Sequence, residues 1–340
     1  MLVKINFKNL AILAVTLVFG YIAILIWTAD EKFPDIEVDL RDIAGYAILA
    51  ATMGGYGIVN VHGEGKLTIM SKGKTAEGAN DVLTKADLVS NQIILDVLGR
   101  YPGLNVISEE KDTKFTESEI EKYRYDDNGL GMNISHTVQK LPSTKVSLSD
   151  ITVWVDPLDA TQEFSEGLMQ YVTVMVCIAN KGQPLFGVIR RPFSEETWFG
   201  MENYGVMGAD GVKWNIKDSD SKSKKLLISR SHAGKVKEAV ANAFGNEFTI
   251  EPAGGAGYKS LRLINGSADV YVHTSVIKKW DVCAGDAMLR SLGGALIDLS
   301  GSVLDYGLKA PLTNSNGVFA ALKNPYTLYQ KWRKSNVMDR

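Results

Sequence analysis

Apolar and polar positions follow two periods along this chain, after an opening run that has almost no polar positions at all. From Leu10 to Trp27, LAILAVTLVFGYIAILIW carries no charge over 18 residues, about 27 Å as a helix against a hydrocarbon core of about 30 Å. A core helix would keep a polar face, and this run has none. A cleaved signal peptide is the competing reading, but its apolar stretch is usually shorter, and bulky Trp27 sits two residues before Ala29, the nearest candidate for cleavage. Lys4 and Lys8 precede the run while Asp30 and Glu31 follow it, so the expected anchor has a cytosolic N-terminus and a lumenal or extracellular remainder.

Beyond a short polar stem, Leu40, Ile43, Ala44, Ala47, Ile48 and Ala51 recur at the spacing of an amphipathic helix. A second helix is predicted after Thr84, a candidate N-cap, with Leu88, Ile94, Leu95 and Leu98 on its apolar face and Tyr101-Pro102-Gly103 at its end. NVISEE is a short apolar run into two glutamates, and ITVWVDPLD, YVTVMVCIA and QPLFGVIRRPF then read as strands, with a turn at Asn180-Lys181-Gly182. Further on, strand KLLIS, a helix from about His232 to Phe244, strand ADVYVH, a helix from about Asp281 to Leu292 and strand ALIDL alternate, which predicts an α/β fold. Residues 111–150 are polar and mixed in charge, so a long and weakly ordered surface excursion is expected there. The expected organisation is a cytosolic tail (1–9), a membrane anchor (10–29), a stem (30–38), an α+β half (39–182), an α/β half (183–330) and a tail (331–340).

Composition removes some function classes. The chain has 340 residues, 45% of them hydrophobic, enough for one large core or two moderate ones. Its 37 basic residues are balanced by 39 acidic ones, so there is no electrostatic footprint for a nucleic-acid polymer. Cys177 and Cys283 sit in apolar or helical stretches and read as free, buried thiols. Two sequons, at Asn133 and Asn265, are compatible with a lumenal domain. Arg190 and Arg191 read as a paired basic surface. His62, His136 and His273 have no neighbours at metal-ligand spacing, so zinc is not supported.

The chemistry is carried by short acidic motifs: Asp87 in TKADLVSN, Glu109 and Glu110 in ISEE, Asp156 and Asp159 in DPLD, and Asp281 in KKWDVCAGD. Two carboxylates about 4 Å apart repel by roughly 4 kcal/mol at an effective dielectric near 20, so converging carboxylates require a cation or a proton. Hard oxygen donors of this kind suit Mg²⁺. In DPLD the proline fixes the chain between the aspartates, and the Leu158 carbonyl is free to act as a further oxygen ligand. Thr161 opens a short helix whose backbone N–H groups face an anion. Alone, DPLD also reads as an Asp cap between strand and helix. SRSH, from Ser229 to His232, follows a strand and opens a helix, where open α/β sheets bind ligands. PAGGAGYKS reads as a glycine-rich loop that lets backbone approach a ligand, with Lys259 alongside.

SEE, WVDPLDATQEF and KKWDVCAGDAML, in that order and spacing, resemble the inositol monophosphatase superfamily of Mg²⁺-dependent, lithium-sensitive phosphatases. The likeness covers about residues 37–330. It implies a layered α-β-α-β-α sandwich of the sugar-phosphatase kind, two or three Mg²⁺ ions, and inhibition by Li⁺. It implies metal ligands at Glu109, Asp156, the Leu158 carbonyl, Asp159 and Asp281, with Asp87 and Thr161 orienting and deprotonating the attacking water. SRSHAG, PAGGAGYK and KKWDVCAG, together with the anchor, are similar to the Golgi branch that acts on adenosine 3′,5′-bisphosphate (PAP). That similarity implies nucleotide contacts at Ser229, His232, Gly255, Lys259 and Asp281, release of AMP and phosphate, and support of sulfation. Ala160 stands where the wider family has glycine, and the PAP branch resembles the chain there. An inositol phosphate is the alternative substrate, and the oligomeric state, a homodimer included, stays open.

Overall fold

The computed structural model describes residues 7–29, 36–65, 69–74, 80–111, 115–125, 128–214, 224–230 and 233–336. Chain order runs α1 (Phe7–Ala29), β1 (Glu37–Asp39), α2 (Leu40–Gly63), β2 (Ile69–Lys74), β3 (Asn80–Thr84), α3 (Lys85–Leu98) and β4 (Asn105–Ser108). Next come α4 (Glu117–Glu121), α5 (Asn128–Val138), β5 (Lys145–Ser147), β6 (Ile151–Asp159), α6 (Thr161–Ser165), β7 (Thr173–Asn180), β8 (Gln183–Arg191), β9 (Glu196–Met201) and β10 (Gly205–Gly208). The remainder is β11 (Lys224–Ser229), α7 (Ala233–Phe244), β12 (Phe248–Ala253), α8 (Ala256–Ile264), β13 (Val270–His273), β14 (Ile277–Lys278) and α9 (Trp280–Ser291). It ends with β15 (Ala295–Asp298), β16 (Thr313–Asn314), β17 (Val318–Ala321) and α10 (Pro325–Asn336).

Residues up to Glu37 form one compact unit and Val38 onward another. The first holds α1, whose segment Phe7–Ile24 is long and apolar enough to cross a membrane and is not buried. α2 passes the same test of length and hydropathy but is 67% buried, which makes it a core helix of the second unit.

Two sheets build that second unit. One has the order β10-β9-β8-β7-β6-β4, antiparallel except for the β4–β6 pair. The other has the order β12-β11-β13-β17-β15. Strand alternation divides side chains between layers: Val174, Val176 and Ile178 of β7 pack with α2 and α3, whereas Met175, Cys177 and Ala179 pack with α8 and α9. A third cluster joins the far face of the second sheet to α7 and α10. The result is the expected α-β-α-β-α sandwich. α9 lies between both sheets, so Val282 through Leu289 are all buried. The first sheet runs unbroken through β7 and β8, so the passage from one sheet to the other comes after Gly208, beyond the boundary expected near residue 183.

Three expectations need correction. Cys177 and Cys283 are not free thiols: they form a disulfide, with Cα atoms 5.7 Å apart. Alternation along β7 aims Cys177 at α9, and the helix presents Cys283 to the same interface, a meeting that a sequence separation of 106 conceals. Arg190 and Arg191 do not form a basic surface, because adjacent strand residues point to opposite faces. Arg190 is buried over the Tyr56 ring and donates to Thr197 Oγ1 at 3.2 Å, while Arg191 pairs with Glu196. Within 111–150 the described residues include two helices, anchored by buried Ile120, Tyr123, Ile134, Val138 and Leu141; one apolar contact per turn was too sparse a pattern to read.

Close layering depends on Gly187, where a Cβ would lie 2.3 Å from the Ala284 carbonyl oxygen of α9. Gly187→Ala is expected to cost about 2–3 kcal/mol through forced separation of sheet and helix, read as a lowered Tm. Replacing both cysteines by alanine opens a clip across 106 residues and is expected to cost about 2–5 kcal/mol in urea denaturation.

Candidate active site

DPLD lies at the end of β6. In a regular strand, residues three apart face opposite ways. Here Asp156 opposes Met175 and Asp159 opposes Thr173, so β6 spends three steps where β7 spends two. Pro157 offers no N–H to the ladder, and the resulting bulge turns both aspartates toward one site. The Leu158 N–H closes the turn on Asp156 Oδ1 at 3.1 Å.

Parallel pairing of β4 with β6 delivers Glu109 just past the strand end, its N–H bonded to the Val155 carbonyl at 3.1 Å. The first turn of α9 delivers Asp281, where the positive end of the helix dipole favours a carboxylate. Oxygens of Glu109, Asp156 and Asp281 lie within 4.8 Å of one another. Burial, then the neighbouring carboxylates, push Asp156 and Asp281 well above the usual carboxylate range, and burial pushes Glu109 to about 7 against the pull of Lys72.

Asp159 is placed differently. Its oxygens accept from the Ala256 and Gly257 N–H groups at the start of α8, at 3.2 and 2.8 Å, and from the Thr173 hydroxyl at 2.9 Å. It therefore fastens the two halves of the site and still lines the same cavity. Gly255 precedes this helix, so PAGGAGYKS is half loop and half helix rather than the glycine-rich loop expected.

Behind the cluster, the Thr161 hydroxyl lies 2.9 Å from Asp87 Oδ1 and 3.0 Å from the Leu158 carbonyl oxygen. Having one hydrogen, it donates to one of them at a time. Asp87 Oδ2 accepts from the Thr84 N–H and hydroxyl, a capping box at the start of α3. Burial raises Asp87 to about 6, with the Thr84 and Thr161 bonds opposing it. Ala160, between ligand candidates, holds a left-handed backbone with φ of 70°, a conformation that costs a non-glycine residue about 1–2 kcal/mol.

A cavity of about 250 Å³ opens over these groups and is lined by Glu109, Asp159, Thr161, Ser229, Gly255, Lys259 and Asp281 among others. Lys259 is buried on its floor, donating to the Ala253 carbonyl at 3.3 Å beside the Tyr271 ring. Burial pulls it down to about 8, against Asp159, Glu163 and Asp281. A larger cleft of about 540 Å³ lies near α2 and α5 and has a single carboxylate, Asp42, so it lacks this convergence.

Several groups at the site were not anticipated. Lys72, on the β2–β3 hairpin, donates to Glu109 at 3.0 Å and also to Glu110, supplying the positive partner in this structure. His273 shares a hydrogen bond of 2.9 Å with Ser229. Both come from segments with no local signal and reach the site only through the fold. His232 lies outside the described residues.

The inositol monophosphatase family pattern matches residues 39–334. The chain belongs to this family. Inositol monophosphatase 3 of Danio rerio is 42% identical over 297 residues, covering 84% of this chain and 82% of the relative. The Golgi-resident adenosine 3′,5′-bisphosphate 3′-phosphatase of Homo sapiens is 40% identical over 294 residues, covering 84% and 77%. In fold, the chain is similar to the extragenic suppressor protein suhB of Bartonella henselae, with a TM-score of 0.62 and 20% identity over 85% of this chain and 97% of that one. As a member of this family of phosphatases, the chain is a phosphoric monoester hydrolase.

The donors of the cluster are all oxygen, which fits a hard divalent cation better than zinc or copper. Glu109 and Asp87 sit above their ordinary values of 4.5 and 3.8. A carboxylate raised on folding stabilises the fold when protonated, so that stability is present at low pH and lost as pH rises through about 6 to 7. With Mg²⁺ chelated, Tm is expected to fall between pH 5 and pH 8. Added Mg²⁺ should reverse the fall, giving a larger metal-induced rise at pH 8; an equal rise at both would count against metal binding here.

Proposed function

We propose that this chain is a Mg²⁺-dependent 3′-nucleotidase that hydrolyses PAP to AMP and phosphate. The observation that carries this reading is one cavity lined by Glu109, Asp159, Thr161, Ser229, Gly255, Lys259 and Asp281, with Asp156 completing the carboxylate cluster and Asp87 hydrogen-bonded to Thr161 behind it. Glu109, Asp156, the Leu158 carbonyl, Asp159 and Asp281 would hold the ions. When bound, they would supply charge for the phosphate oxygens and acidify a water.

The chain's own groups do the rest. Thr161 Oγ accepts a proton from the attacking water as its own hydrogen moves to Asp87 Oδ1, a relay suited to a carboxylate poised at about 6. The Thr84 N–H and hydroxyl keep Asp87 oriented. Lys259 balances the incoming phosphate from the floor of the cavity, and Ser229 with Gly255 offers a hydroxyl and close backbone to the nucleoside. No phosphoenzyme is required.

We place the catalytic domain in the Golgi lumen, anchored by α1 with the N-terminus in the cytosol. The apolar helix supports an anchor. The Cys177–Cys283 disulfide supports an oxidising compartment. The human relative is named as Golgi-resident. PAP is a by-product of sulfotransferases, so its removal would sustain sulfation there. An inositol phosphate is the second reading, favoured by the zebrafish relative's name.

Phosphate release by a fragment beginning near Pro34 tests both, with PAP and inositol 1,4-bisphosphate side by side and Mg²⁺ present or chelated. Faster metal-dependent turnover of PAP is expected, and faster turnover of the inositol compound would decide for the second reading. Asp87→Asn should lower kcat by about 10² to 10⁴ while Mg²⁺ binding, measured by calorimetry, persists.

A further inference from the structure

Arg230 stands at the rim of the cavity, with its side chain 34% exposed. It follows β11 and reaches across to α6. Its Nη1 donates to Glu163 Oε1 at 3.2 Å and to Glu166 Oε2 at 3.1 Å, and its Nη2 donates to Glu166 Oε2 at 3.1 Å. The Tyr171 ring lies 5.8 Å from its central carbon.

A guanidinium has five N–H groups, and these bonds use three. What remains is the side edge formed by Nε–H and the second Nη2–H, for which the described residues provide no acceptor. Two parallel N–H groups on one edge are the fork that takes a phosphate in bidentate fashion. The carboxylates hold the plane of the fork still, so little side-chain entropy is lost on binding. Lys259, the other cation among the described residues lining the cavity, is buried at its floor among the carboxylates. It serves the phosphate being cleaved, and that leaves Arg230 for a second anion nearer solvent.

We infer that Arg230 selects substrates carrying two phosphates, by gripping the phosphoryl group that is not cleaved. This rests on the nucleotidase reading, with the 5′-phosphate of PAP as the group gripped. Glu163 and Glu166 are positioning residues that act through it. A monophosphate gains nothing from the fork.

The test compares PAP with adenosine 3′-monophosphate in wild type, Arg230→Ala and Arg230→Lys. Arg230→Ala is expected to raise KM for PAP about 10- to 100-fold, the range for a lost charge-assisted pair, with the monophosphate KM moving less than about threefold. Arg230→Lys keeps charge without the fork and should give an intermediate loss confined to PAP. Equal losses on both substrates, or no loss on either, would overturn the inference. If the wild type prefers inositol compounds, the nucleotide reading fails separately. The same comparison is then made with inositol 1,4-bisphosphate and inositol 1-phosphate, where loss of the bisphosphate preference again supports the fork and equal losses refute it.

Discussion

Three carboxylates within 4.8 Å of one another, Asp156 buried and Glu109 and Asp281 half-buried, are a constraint that the rest of this structure serves. Left to themselves they would separate or take up protons, as their raised proton affinities record. They are held by elements distant in sequence: a parallel strand end, a bulge and a helix start. Lys72 closes over two neighbouring glutamates, which fits a site organised to receive positive charge.

Holding those elements still is the task of the layers. α9 carries Asp281 at its first turn and is packed between both sheets. Gly187 on one side and Gly285 against Ser260 on the other let it approach closely, and the Cys177–Cys283 bond fastens it to the central strand. Asp159 joins DPLD to the start of α8 through two backbone N–H groups. The same carboxylate therefore serves both the cavity and the junction between the two sheets, so mechanics and chemistry overlap at this residue.

Much of this was legible locally. The apolar period gave the start of α2, though only its first half, and α3 near its observed bounds, Thr84 was visible as a cap, and DPLD announced itself by charge and proline. The glycine-rich stretch was harder: it was read as a loop, yet its second half is α8, because helix formation there depends on Asp159, ninety-seven residues away, accepting its first N–H groups. Arg190 illustrates the opposite case, where a charged pair looked like a surface and alternation buried one member.

What the sequence by itself determined was the class of elements, the oxygen-donor chemistry and the apolar N-terminal segment, because periodicity, donor type and hydropathy are properties of neighbouring residues. Only the tertiary structure decided that Glu109, Asp156 and Asp281 converge, that two apparently free cysteines are bonded, that Lys72 reaches Glu109, and that His273 and Arg230 line the same cavity. Those facts depend on strand order and bulge register, which are settled by packing over the whole domain and leave no trace in any short stretch of sequence.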